Sequence, residues 1–367
     1  MNPLKHESIL QFGAGNFLRA FVDFFACGFP GRPDTGEVVV VQSTTSNRAA
    51  AINRAGGRYH VAVQGIANGR TIDTVHVVDS LSRALVANDN WQDVLGVAAS
   101  PDLQWIVSNV TEAGLALDPG DDGNLPVPVS YPAKLLTVLL ARHQAGMPGP
   151  IILPCELIEG NGASLRDAVT AQATRWRVDA GALAWIREDC VWAETLVDRI
   201  VPGFPATHPL AATDPLMLTT EPYALWAVAA SRPLGIAHPA LVETPDIVPW
   251  FLRKVRVLNG LHTALVAHAM PLGCTTVADC MRDPAIATWV RELLFDEIVP
   301  VLDGRVEDPA GFARDVLDRF ANPFHNHLLS AIALHHSTKL ETRLRPSLED
   351  FRRMFGRNPR ILSSLLP

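Results

Sequence analysis

Apolar residues fall in short runs along the first two-thirds of the chain and take up helical spacing in the last third. Residues 8–13, 37–42, 103–109 and 150–154 are four such runs, rich in Val, Ile and Leu and bounded by polar or turn residues. Runs without polar alternation are what strands covered on both faces of a parallel sheet require. Helical patterns intervene, over 16–27, with Phe17, Ala20, Phe21 and Phe24 at helical spacing, and over 134–145. The repetition predicts an α/β fold, a Rossmann-like doubly wound N-terminal domain. Beyond about residue 245 the strand runs stop, and 246–270, 285–302, 309–321 and 325–340 read as helices. The expected organisation is a doubly wound domain over 1–245 and a mainly α-helical domain over 246–367, with proline-rich connectors at 118–132 and 201–215.

The 367 residues are 48% hydrophobic and 19% charged with a net charge of −7, the balance of a globular enzyme, and no basic block interrupts them. A nucleic-acid or anionic-membrane partner needs such a block, so neither is expected. The polar opening and the glycines at 13 and 15 argue against a signal peptide. The apolar stretches 224–230 and 261–270 are too short for a membrane span. Five scattered cysteines without CxxC spacing read as free thiols in a reducing compartment, so the cytoplasm is the expected location. His325, His327, His335 and His336, read as one helix, lack the spacing of a zinc site, and no metal is expected.

Gly13-Ala-Gly15-Asn16-Phe17-Leu18-Arg19 follows the first strand candidate and opens a helical pattern. Such a turn brings backbone N–H groups to a dinucleotide pyrophosphate, and a helix start adds a favourable dipole. Gly13 permits the turn and Gly15 the close approach of phosphate, while Leu18 stands where GxGxxG has its third glycine. After the second strand the sequence reads Gln42-Ser43-Thr44, with no carboxylate for a ribose, and Asp34 precedes the strand. NAD is the expected cofactor, with NADP left open.

In the last third, Lys254, Asn259 and His262 stand in an otherwise apolar helical pattern, Asn259 and His262 three apart and Lys254 one turn before. Each alone is an ordinary surface or core residue. Together they suit hydride chemistry at a carbonyl, the lysine as acid/base, the asparagine amide on the oxyanion and the histidine on substrate hydroxyls. Lys339 and Arg343, four apart, suit a carboxylate clamp as well as a solvated face.

Lys254-x4-Asn259-x2-His262 resembles the motif of the polyol-specific long-chain, mannitol dehydrogenase-like family, and the resemblance runs along nearly the whole chain. The 11–21 segment is similar to its uronate-reducing members, and 108–114, with Asn109, Thr111 and Glu112, to its cofactor-side segment. Pro154-Cys155-Glu156-Leu157 through Asn161-Gly162 resembles the stretch that supplies a second asparagine to the oxyanion, and Glu156-Leu157 replaces the Asp-Asn of the polyol enzymes. Val197-Asp198-Arg199-Ile200 matches a family segment, with Asp198 and Arg199 read as an inter-domain ion pair or as residues behind Lys254. Arg319-Phe320, Asn322-Pro323, Ser337 and Lys339 resemble its substrate-side region. The resemblance implies a metal-independent NAD(P)-dependent reductase of a hexuronate, with Lys254, Asn259, His262 and Asn161 catalytic. It further implies Gly13, Gly15, Asn16, Phe17, Arg19, Asn109, Thr111 and Glu112 on the cofactor, and Asp198, Arg199, Lys339 and Arg343 around the substrate. The alternatives are a sister activity on another keto-uronate or on mannitol, and a non-catalytic dinucleotide-binding sensor. The partner is a small sugar acid, and the state, monomer or dimer, stays open. Family members run longer, so C-terminal packing is expected to lack a final helix.

Overall fold

Valine-rich runs become the inner strands of a parallel sheet. The structure, a computed structural model, describes residues 6–29 and 38–366, so Asp34 lies outside the described residues. In chain order the strands are β1 (Ile9–Phe12), β2 (Val38–Gln42), β3 (Tyr59–Ala67), β4 (Arg70–Val78), β5 (Leu81–Val86), β6 (Trp105–Ser108), β7 (Ile151–Pro154), β8 (Val191–Trp192), β9 (Glu194–Asp198), β10 (Leu218–Thr220), β11 (Leu225–Ala229) and β12 (Leu241–Glu243). The chain forms two compact units, one of residues 1–62, 75–220 and 224–247, the other of 63–74, 221–223 and 248–367. Neither unit is one continuous stretch of chain.

In the first unit six strands form a sheet in the order β5-β2-β1-β6-β7-β8. Every neighbouring pair is parallel. Numbered within this sheet alone the order is 3-2-1-4-5-6, the doubly wound arrangement expected from the sequence, with its reversal between β1 and β6. Side chains alternate between two cores. Val38, Val40 and Ile9 join Phe21, Phe25 and Ile52 on one face, and Val39, Val41 and Leu10 join Val94, Leu136 and Leu139 on the other. Neither face meets water, which is why these strands carry no polar alternation.

The helix expected over 16–27 is broken into Asn16–Arg19 and Val22–Ala26, with Phe21 at φ −127° and ψ −86° between them. Phe21 leaves helical geometry to pack on Phe17, Phe25 and Trp226 at ring-centroid distances of 4.8, 4.5 and 5.6 Å. Tertiary packing overrides the local spacing here.

The second unit has its own apolar core, built from helices that include Gly260–Ala269, Pro309–Phe320 and Arg345–Phe355. The pattern over 246–270 is helical, but Lys254–Asn259 is a π-helical segment between Val248–Arg253 and Gly260–Ala269. The single helix expected over 325–340 does not form. His325 and His327 lie in a loop, Leu329–Ile332 and His336–Lys339 are short helices, and His335 between them sits at φ 56°. C-terminal packing is supplied by Arg360–Leu365, where Glu297 accepts from the Ile361 and Leu362 amides at 2.7 Å each and both side chains are buried. The hairpin tip 63–74 belongs to this unit as well, contrary to the expected division. Its turn, Asn68-Gly69 at φ 51° and 69°, has the two left-handed residues of a type I′ hairpin. Gly65 is needed for close approach, since a Cβ there would come within 2.6 Å of Pro222 and 2.8 Å of Asn322 Nδ2.

Candidate active site

At the point where the parallel sheet reverses, a cleft of about 670 Å³ opens beyond the ends of β1, β2 and β6. Its walls include Gly13, Ala14, Gly15, Gln42, Arg48, Asn109 and Thr111. Crevices at such reversal points are where doubly wound sheets take nucleotides. Gly13 lies at φ 128°, a conformation closed to L side chains, and its amide donates to Val41 O at 3.0 Å. Gly15 is extended, φ −68° and ψ 167°, and a Cβ built on it meets nothing within 4 Å. The room beside Gly15 is what a pyrophosphate approaching the backbone requires. Leu18, in place of the third glycine, is buried with its Cδ1 3.3 Å from the Cβ position of Gly13.

Several expected cofactor residues turn out to brace this cleft instead of lining it. Arg19 is buried, donating to Leu216 O at 2.7 Å and Asn16 Oδ1 at 3.1 Å, and Phe17 stacks on Phe21. None of Asn16, Phe17 and Arg19 is among the cleft-lining residues. The helix they begin is only four residues long, so it carries little of the dipole expected from a long one. Asn109 lines the cleft, but its amide donates to Cys155 O at 2.6 Å. Thr111 precedes the short turn Glu112–Leu115, and the Glu112 side chain lies outside the described residues.

Asn161 is a clear departure from the sequence reading. Its Nδ2 donates to the carbonyls of Pro154 (3.1 Å), Glu156 (3.1 Å) and Thr195 (3.0 Å), and its Oδ1 accepts from Thr195 N at 3.0 Å. With both N–H groups engaged and the residue 1% exposed, no donor is left for an oxyanion. Glu156, from the same segment, is buried and accepts from Val110 N at 2.9 Å, and burial raises its pKa. Glu156 ties the chain after β7 to the chain after β6, and Asn161 ties the end of β7 to β9. Asp198 ends β9 and is buried, while Arg199 donates to Ala20 O at 2.9 Å with its guanidinium 4.8 Å from the Phe24 ring centroid, all within the first unit.

In the second unit the π segment changes which residues share a side of the helix. Residues five apart on an α-helix point about 140° away from each other. A turn closing i→i+5 brings them back to one side, and such turns recur at functional sites. Lys254 and Asn259 are half-buried at the two ends of this turn, and His262, 7% exposed, follows on the next. The His262 ring packs against Phe320 at 4.3 Å and His327 at 4.9 Å. His262 Nε2 and His325 Nε2 are buried with no hydrogen-bond partner among the described residues. A second π segment, Leu340–Leu344, runs beside the first: a Cβ on Gly260 would touch Leu344 at 3.5 Å and Arg343 O at 3.7 Å. Arg343 is half-buried, its Nη1 3.4 Å from Thr263 Oγ1, next in sequence to His262. Lys339 donates to Ile332 O at 2.8 Å, and burial followed by Arg343 lowers its pKa.

Sequence reasoning missed Glu221. The Arg319 guanidinium forms a bidentate pair with it, Nε to Oε2 at 2.9 Å and Nη2 to Oε1 at 2.8 Å, and lies 4.4 Å from the Tyr223 ring centroid. Asn322 donates to Gln64 O at 3.1 Å and accepts from Phe324 N at 2.9 Å. No group of three or more His, Cys, Asp or Glu among the described residues is placed to share one cation.

Burial keeps the three clustered histidines neutral. It pulls His262 well below the ordinary range, with His327, Arg319 and Arg343 adding to the effect and a backbone hydrogen bond at Leu258 opposing it. Burial likewise lowers His325 to about 4 and lowers His327. Unfolded, each binds a proton near its ordinary pKa of 6.5, so their contribution to stability is complete above that pH and is lost as pH falls toward 4. His325 alone accounts for roughly 3 kcal/mol of the loss. Chemical denaturation midpoints are expected to drop across that window, and His325→Gln should flatten the curve. Superimposable pH profiles for the two proteins would contradict the assignment.

The room beside Gly15 gives a second expectation. Gly15→Val should leave the melting temperature within about 2 °C while weakening NADH binding by at least tenfold, roughly 1.4 kcal/mol. Unaltered NADH binding in a titration would mean the phosphates lie elsewhere.

Family models described as the mannitol dehydrogenase Rossmann domain and the mannitol dehydrogenase C-terminal domain match residues 7–237 and 246–362. Altronate oxidoreductase of Halalkalibacterium halodurans is 37% identical over 374 residues, covering 97% of this chain and 73% of that protein. Altronate oxidoreductase of Bacillus subtilis is 36% identical, covering 96% and 77%. Among solved structures, a substrate-free D-sorbitol dehydrogenase superposes with TM-score 0.81 at 23% identity, over 94% of this chain and 75% of that one. Pseudomonas fluorescens mannitol 2-dehydrogenase in complex with NAD and D-mannitol superposes with TM-score 0.75 at 22% identity, over 99% and 78%. No helix among the described residues is long and apolar enough to cross a membrane.

Proposed function

The chain belongs to the mannitol dehydrogenase family, and from that premise we propose that it is an NAD-dependent altronate oxidoreductase, reducing the ketone of tagaturonate to the alcohol of altronate. The observation that carries the choice of a sugar acid over a neutral polyol is Arg343, a cation beside Thr263 on the helix that continues from Lys254 and Asn259. Agreement with altronate oxidoreductases over nearly the whole chain supports the same choice. A guanidinium can hold a carboxylate through two parallel N–H groups.

The cleft of the first unit has what a dinucleotide needs, namely the left-handed Gly13, the space beside Gly15 and the lining residues Asn109 and Thr111. Bound NADH supplies the hydride. Lys254 gives its proton to the carbonyl oxygen as that oxygen gains charge, and takes it back in the oxidative direction. The Asn259 amide donates to the same oxygen, so the developing charge meets an oriented dipole. His262, neutral through burial, offers Nε2 as an acceptor to a substrate hydroxyl, and the backbone bond at Leu258 fixes the ring. Asn161 holds β7 and β9 in place and is not assigned a direct role. Five free thiols support a reducing, cytoplasmic setting.

The test is the oxidative reaction, followed as reduction of NAD with altronate or with mannitol. Altronate is expected to be oxidised with kcat/KM at least about 100-fold above mannitol, the discrimination of a satisfied charge pair of roughly 2.7 kcal/mol. Preference for mannitol would overturn the substrate assignment.

A further inference from the structure

The adenosine end of the cleft is built differently from one that selects NAD. Sites selective for NAD place a carboxylate beyond the second strand, where it accepts from the ribose 2′-hydroxyl and repels a 2′-phosphate. Here β2 ends at Gln42, whose side chain is fully used: Nε2 donates to Thr44 O (2.8 Å) and Ser46 O, and Oε1 accepts from Ala49 N (2.7 Å). The exposed Ser43, Thr44 and Ser46 follow, and all three line the cleft. Arg48 lines it too, anchored by Nη1 to Ala14 O at 3.1 Å. That anchor holds the guanidinium beside the glycine turn while its other N–H groups remain donors. Among the described cleft-lining residues the only carboxylate is Asp118, which accepts from the Gly120 amide at 2.7 Å.

We propose that Arg48, with Ser43, Thr44 and Ser46, forms a subsite for the 2′-phosphate of NADP(H), so that this chain accepts the phosphorylated cofactor alongside NAD(H). An arginine fork matches a phosphate dianion, hydroxyls complete the donor set, and no carboxylate among the described residues opposes it there. The inference concerns only the nucleotide end and rests on the dinucleotide part of the reading above.

Equilibrium binding of 2′,5′-ADP and of 5′-ADP, measured by calorimetry on the full chain, tests it without any turnover. The wild type is expected to bind 2′,5′-ADP at least as tightly as 5′-ADP. Arg48→Ala should weaken 2′,5′-ADP by at least about tenfold and 5′-ADP by less than about threefold. Ser43→Asp, on an exposed position, should restore a preference for 5′-ADP. Tighter wild-type binding of 5′-ADP, or equal loss of both ligands in the Arg48 variant, overturns the subsite. A protein that binds both nucleotides as expected but oxidises no altronate leaves the subsite standing and removes the function proposed above.

Discussion

Lys254→Ala is expected to lower kcat for tagaturonate reduction by about 10²–10⁴-fold, the usual worth of a positioned proton donor. NADH affinity should stay within about twofold, because the residues that line the nucleotide cleft belong to the first unit and Lys254 to the second. The effect should fall on kcat and kcat/KM alike, as it does when an interaction made only in the transition state is removed. Lys254→Arg keeps a positive charge but holds its proton too tightly to deliver it, so it should not restore turnover. Steady-state kinetics with both variants, and NADH titration of each, check this. Near-normal kcat in the alanine variant would remove the lysine from the chemistry.

The second large effect is on folding. Arg319 and Glu221 pair at 2.8 Å with side chains 2% and 1% exposed. Glu221→Ala leaves a guanidinium in the core of the helical unit without its carboxylate, which should destabilise that unit by about 3–5 kcal/mol. Replacing both partners, Glu221→Leu with Arg319→Met, removes the desolvated charge altogether and should recover most of the loss. Urea denaturation of the two variants separates a buried pair from a dispensable contact. A single variant as stable as the wild type would show that the pair contributes nothing to the fold.

The inner strands were legible because burial on both faces leaves an unambiguous apolar run. Val38–Val41 could hardly be anything else once helices cover each side. Gly13 and Gly15 were legible for a local reason, since turn geometry and phosphate access depend on a few adjacent residues. The hairpin β3–β4 is hard to place from the sequence although Asn68-Gly69 is a strong turn signal, because its tip belongs to a unit most of whose chain lies some 180 residues later. Helical spacing could not reveal that Lys254–Asn259 closes as a π turn, nor that His335 would interrupt the helix expected over 325–340. Asn161 shows a further limit. Its residue type suits an oxyanion site, yet Thr195, Pro154 and Glu156, which engage its amide, are brought to it only by the folded sheet.

The most direct measurement is the rate of NADH oxidation by the purified protein with tagaturonate, fructuronate and fructose as separate substrates, with the product identified. The account predicts turnover with tagaturonate, altronate as product, and fructose slower by at least about 100-fold. Fructose as the preferred substrate, or NADH binding with no oxidation by any of the three, would contradict it.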